Sequence, residues 1–210
     1  MEKEEKNYYS SLWKSAMEFL KKKGYKDEIK YYKNIKPPKT MDEFLSEYAW
    51  VVFASGFKVK TLEMKWKGIE RVFFNFNVEK IVQVVKKDPK YFYKIRMPIN
   101  NKRKINAIVE TAEIIKREGY KKFLDIEKMR ELPFIGEVTK FHLARNLGLD
   151  VGKPDRWMIR LAKKLGFPPN ENGVKDMLKK FQSATGEKTG VIDIVLWRAC
   201  EQGWIKTLNF

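Results

Sequence analysis

The chain of 210 residues holds one cysteine, Cys200, and one histidine, His142. A lone thiol closes no intrachain disulfide, and the four thiolates of an iron–sulfur cluster are missing. One imidazole and one thiol make no structural zinc set, so no cofactor and no metal is expected. No apolar run reaches the roughly 18–20 residues that a membrane-spanning helix needs, and no membrane partner is expected. The first residues, Met1 to Lys6, are charged where a secretory signal would be apolar. The expected location is the cytoplasm, associated with the nucleoid. No stretch alternates apolar and polar residues at period two, which speaks against strands. Acids are also scarce: 27 Asp and Glu face 44 Lys and Arg, a net charge of +17. The hydrophobic share of 43% is that of a folded protein, so the charge marks a surface that meets a polyanion, most often nucleic acid.

The periodicity present is helical. Leu12, Ala16, Phe19 and Leu20 share one face, and Gly24 ends that helix. Thr40 and Glu43 form a capping box ahead of Phe44, Leu45, Tyr48, Ala49 and Val52. Stripes follow at Leu62–Phe73, at Val78–Val85 behind Asn77, around Tyr91 and Phe92 behind Asp88-Pro89, and at Ile105–Ala112 behind Asn100-Asn101. Met158, Leu161, Ala162 and Leu165 give another, and Ile192, Val195, Leu196 and Ala199 the last. The expected fold is all-α. Lys36-Pro37-Pro38-Lys39 and Pro168–Gly173 read as boundaries too short for flexible linkers. Two packed lobes are expected, a central one over about 40–136 ending in a hairpin, and a second built from 1–36 plus 137–210. A single lobe pair of this size is expected to act as a monomer.

Leu132-Pro133-Phe134-Ile135-Gly136 lies between an apolar segment expected to be helical (Leu124, Ile126, Met129) and a helix over Val138–Leu147. A Pro-x-x-Gly turn that opens a helix turns amides outward, and such amides hold an anion without a side-chain charge. On a duplex they grip a phosphate and read no sequence. Downstream, Asp155 stands directly before Arg156-Trp157-Met158-Ile159-Arg160, at a helix start, where an acid is also favoured simply as a cap.

The stretches L-P-F-I-G-E-V-T-K and K-P-D-R-W-M-I-R, within Leu132–Gly166, resemble the helix-hairpin-helix DNA glycosylases. The resemblance implies a two-lobed helical glycosylase architecture with a helix-hairpin-helix motif. It implies double-stranded DNA carrying a lesion as partner, and removal of a damaged or mismatched base by flipping it out and hydrolysing its N-glycosidic bond. Asp155 matches the family's catalytic carboxylate, which stabilises positive charge on the sugar and orients or deprotonates water. Hairpin carbonyls hold a monovalent cation in some members. Some members also carry a nucleophilic lysine in the hairpin helix; the matching residue here is Val138, in G-E-V-T. That departure implies a monofunctional enzyme. Lys140, about 200° farther round the helix, is the nucleophile of an alternative glycosylase/lyase reading. A second alternative is a non-catalytic DNA-binding module.

The expected backbone contacts are Pro133, Ile135, Gly136, Thr139, Lys58, Lys60, Lys102 and Arg103, with Lys104 a further phosphate candidate. The expected base pocket or wedge comprises Phe57, Val138, His142 and Trp157. Phe57 follows Gly56 in the F-A-S-G-F-K-V-K loop. Tyr48, Trp50 and Trp66 are further stacking candidates. The Val191–Trp197 segment resembles a D-x-x-L-W helix of archaeal oxidised-guanine glycosylases and is read as structural.

Overall fold

The computed structural model describes residues 2–57 and 59–208, and every regular element among them is helical. The chain forms two compact units, Pro37–Leu147 and the pair Met1–Lys36 with Gly148–Phe210.

The central unit contains α3 (Met41–Ala54), α4 (Val59–Val72), α5 (Val78–Lys87), α6 (Tyr91–Lys94), α7 (Lys102–Glu118) and α8 (Thr139–Asn146). Local side chains start these helices. Thr40 Oγ1 accepts the Glu43 amide at 3.1 Å, Asn77 Oδ1 the Lys80 amide at 2.9 Å, and Asn101 Oδ1 the Lys104 amide at 3.2 Å. Each cap removes an orphan amide worth about 1 kcal/mol. Glu43 completes the box one residue early, accepting the Lys39 amide at 2.6 Å. Phe44, Leu45, Tyr48 and Val52 of α3 and Ile105, Ile108 and Ala112 of α7 are fully or almost fully buried, and α3 and α7 pack together. Burial of each such side chain contributes roughly 1.5–3 kcal/mol.

The terminal unit contains α1 (Glu2–Lys22), α2 (Lys26–Asn34), α9 (Arg156–Lys164), α10 (Glu171–Thr185) and α11 (Thr189–Glu201). Helix α1 packs along α10 and α11. Leu20, Phe181, Val195 and Trp204 lie in its core, and the indole of Trp204 donates to Ser15 Oγ at 3.1 Å, so the buried donor is satisfied.

Three expectations are corrected. Helix α8 belongs to the central unit, so the division falls after Leu147, not after residue 136. Leu143, Ala144 and Leu147 are fully buried, and α8 packs on α3. Pro168–Gly173 is no boundary, because α9 and α10 pack on each other within one unit. Asn170 caps α10 by accepting the Gly173 amide at 3.0 Å, and a Cβ at Gly173 would collide with the Pro168 carbonyl. The arm before the hairpin is not an α-helix. It is two 3-10 turns, Tyr120–Leu124 and Lys128–Glu131, because Asp125 Oδ1 takes the Glu127 amide at 2.9 Å and breaks the ladder between them.

Candidate nucleic-acid interface and acid site

The hairpin closes on itself. Thr139 Oγ1 accepts the Gly136 amide at 2.7 Å, the Lys140 amide donates to Gly136 O at 3.0 Å, and the Ile135 amide donates to Leu132 O at 3.2 Å. Thr139 therefore ties the turn, and the Gly136 amide is not the outward donor expected. The amides of Glu137, Val138 and Thr139 make no hydrogen bond among the described residues, so the donors that face outward at the start of α8 are these three. A side chain at Gly136 would meet only Thr139 Oγ1, at 4.0 Å, so the space beside that glycine is open. The Ile135 side chain is buried, so that residue offers a ligand backbone alone. Pro133 is half-buried, and its carbonyl accepts the hydroxyl of Tyr48. Tyr48 is itself fully buried, its hydroxyl also 3.3 Å from Ala107 O, and burial drives its pKa far up. It positions the hairpin and cannot stack on a base.

Lys140 is the clearest revision. Its side chain is buried, and its ammonium lies 2.9 Å from Glu127 Oε1 and 3.2 Å from Glu137 Oε2. Arg130 adds a bond to Glu137 at 2.6 Å. The hydrogen bond that Lys140 donates to Glu127 holds the lysine pKa above its ordinary 10.5, against the opposing effect of burial. The lysine staples the residues before the hairpin to α8. Because the folded-state pKa is raised, this staple is complete below pH 10.5 and is lost as pH rises through the raised value. Lys140→Met is expected to cost about 1 kcal/mol, since both carboxylates are largely solvated. For a chain of this length that lowers Tm by roughly 2–4 °C. The deficit should vanish in thermal melts taken above the raised pKa.

Val138 is 60% exposed at the residue just before α8. His142 is half-buried farther along the same helix. Phe57 is 38% exposed behind Gly56, whose φ of +78° turns the chain between α3 and α4. Lys58 lies outside the described residues. Lys60, Lys102 and Arg103 are exposed, the last two in the first turn of α7. Cations at that end oppose the helix dipole by about 0.3–1 kcal/mol each, and a bound phosphate would reverse the sign. Trp50 and Trp66 pack edge-to-face at 4.9 Å, and Trp66 stacks on Phe76 at 5.3 Å. Both are half-buried and belong to the aromatic packing of the central unit.

Lys104 is not a phosphate contact. It is buried, and its ammonium donates to Phe53 O at 3.0 Å and to Ser55 O, at the carbonyl end of α3. The same ammonium sits 4.7 Å from the Phe57 ring and 5.7 Å from the Phe134 ring. It thus brings the loop after α3 and the hairpin tip to one point. Phe134 drew no functional expectation. The readable signal for Lys104 is its place on the α7 stripe with Ile108 and Ile115.

In the terminal unit Asp155 caps α9. Its Oδ1 accepts the amides of Trp157 at 2.9 Å and Met158 at 3.2 Å. Oδ2 has no hydrogen-bond partner among the described residues, and the side chain is half-buried. Burial, aided by the negative charge of Asp155, pushes the Cys200 thiol up to about 12, so Cys200 is a packed, inert neighbour of the carboxylate. Asp193, fully buried in an otherwise apolar stretch of α11, accepts the Lys153 amide at 3.0 Å. Asp150 accepts the Gly190 amide at 2.9 Å. These two bonds pin the loop leading to Asp155 onto α11. Trp157 is half-buried against the core, its ring approached by Arg160 at 5.1 Å and Arg156 at 5.4 Å. Both guanidinium groups engage the ring, which disfavours it as a base platform.

Among the described residues no group of three or more His, Cys, Asp and Glu side chains is placed to hold a metal ion, and no helix is long and apolar enough to cross a membrane. Comparison of the chain with protein-family models, curated proteins and solved structures finds no match.

Proposed function

We propose that the protein is a monofunctional DNA N-glycosylase that acts on double-stranded DNA as a monomer and removes an oxidised, alkylated or deaminated base. The observation that carries the proposal is the state of Asp155: one carboxylate oxygen is fixed by two amides and the other is left without a partner. A carboxylate held in this way is oriented without being used up. The outward amides at the start of α8, together with Lys60, Lys102 and Arg103, supply anion contacts of the kind a DNA backbone needs.

In the proposed reaction the base is flipped from the stack. The bond from C1′ to the base nitrogen breaks with its electron pair leaving on the base. The Asp155 carboxylate stabilises the charge that develops on the sugar. Water forms the new C1′–O bond and passes its proton by way of Asp155 to the departing base, leaving an abasic site. The lyase alternative needs Lys140 as an uncharged nucleophile, whereas its ammonium is held between Glu127 and Glu137, which supports the hydrolytic reading.

The test is a panel of duplexes, each with one modified base, incubated with the protein and scored for alkali-labile sites. At least one duplex is expected to be cleaved only after alkali, and borohydride should trap no covalent adduct. A borohydride adduct that disappears in Lys140→Ala would restore the lyase reading.

A further inference from the structure

Two exposed aromatic rings from different loops share one buried ammonium. Phe57 and Phe134 are each 38% exposed, and Lys104 lies against both rings. Lys104 cannot swing away, because carbonyls of Phe53 and Ser55 hold it. The rings are thereby fixed in place before any ligand arrives, which lowers the entropic cost of using them. Phe134 also stands at φ +67°, a conformation that costs a bulky residue about 1–2 kcal/mol and that glycine adopts freely. Packing alone does not account for a phenylalanine there, since the residue stands at the surface and is not part of the core. A strained residue kept at an exposed tip points to use of its side chain.

We propose that Phe134 is a second aromatic contact to nucleic acid, stacking on a base exposed when the duplex is opened, beside Phe57 and over the Lys104 charge. The inference rests on the DNA reading above and adds a residue to it. An aromatic face backed by a buried cation fits a nucleotide base, which stacks on the ring, and the phosphate is left to the exposed cations nearby. The exposed Lys102 and Arg103, on the same turn of α7 as Lys104, give the surface the sign that a polyanion requires.

The experiment compares the full chain with Phe134→Gly and Phe134→Trp by fluorescence anisotropy, on an intact duplex and on the same duplex with a short single-stranded gap. Phe134→Gly is expected to weaken binding to the gapped duplex roughly tenfold and to the intact duplex less than about twofold, with Tm equal or higher. Phe134→Trp should restore gapped-duplex affinity. Equal gapped-duplex affinity for Phe134→Gly and the native chain overturns the contact, as does an equal loss on both duplexes or a marked fall in Tm. Failure of the native chain to bind either duplex overturns the DNA reading itself, a result distinct from the others because no complex then forms to compare.

Discussion

Asp155→Asn is expected to slow base release by about 10²–10⁴-fold, the usual contribution of a positioned acid–base group, without unfolding the protein. Asn caps a helix as well as Asp does. Its Oδ1 can accept the same two amides, of Trp157 and Met158, that Asp155 accepts. The substitution removes charge and keeps the cap, which separates the two roles of this position. Single-turnover formation of abasic sites measures the first, and Tm the second. Anisotropy on a lesion-bearing duplex should show DNA affinity retained. Unchanged base release would leave Asp155 a cap alone and overturn its catalytic role, whereas no base release by the native chain on any duplex would favour the non-catalytic DNA-binding module.

The second large effect is expected at Asp193. This carboxylate is fully buried in α11 and holds the Lys153 amide, two residues before Asp155. Asp193→Ala strands that amide, at about 1–3 kcal/mol, and lowers Tm by several degrees. Relief of the cost of burying a carboxylate offsets part of this. The loss of a fixed partner is the larger effect, as it is whenever one side of a buried polar pair is deleted. Base release should fall about tenfold or more, since a carboxylate displaced by even 1 Å acts poorly. Asp193→Asn retains an acceptor oxygen for Lys153 and is expected to recover most of both losses. Native-like melting and turnover in Asp193→Ala would show that the loop before α9 is held by other means.

What the sequence revealed best was local. Thr40, Asn77, Asn101 and Asp155 each cap a helix through a side chain that reaches two or three residues ahead. Such bonds depend on spacing alone and survive without knowledge of the fold. The tertiary placements were hidden. Tyr48 reads equally as a stacking ring or a core ring, and only the hairpin carbonyl that meets its hydroxyl decides. Lys104 sits in a basic run that looks solvated, yet its α7 face points at the carbonyl end of α3. Lys140 reads in the sequence as a candidate nucleophile of the hairpin helix, yet it is buried where Val138 is exposed. Its burial depends on Glu127, thirteen residues away in the preceding turn. The apolar residues before the hairpin suit a helix or a pair of 3-10 turns equally well, and one Asp side chain tips the balance.

The terminal unit takes its first helices from one end of the sequence and the rest from the other. During synthesis the apolar stripe of α1 leaves the ribosome roughly 150 residues ahead of the α10 surface that covers it, a delay on the order of ten seconds at ordinary elongation rates. Throughout that interval Leu12, Ala16 and Leu20, buried in the finished fold, lack the α10 surface, while the uninterrupted stretch from Pro37 to Leu147 emerges complete. The nascent chain therefore has to carry a sticky leader past an already foldable middle. Truncation near its far end would release α1 as a chaperone client, not as a spare helix.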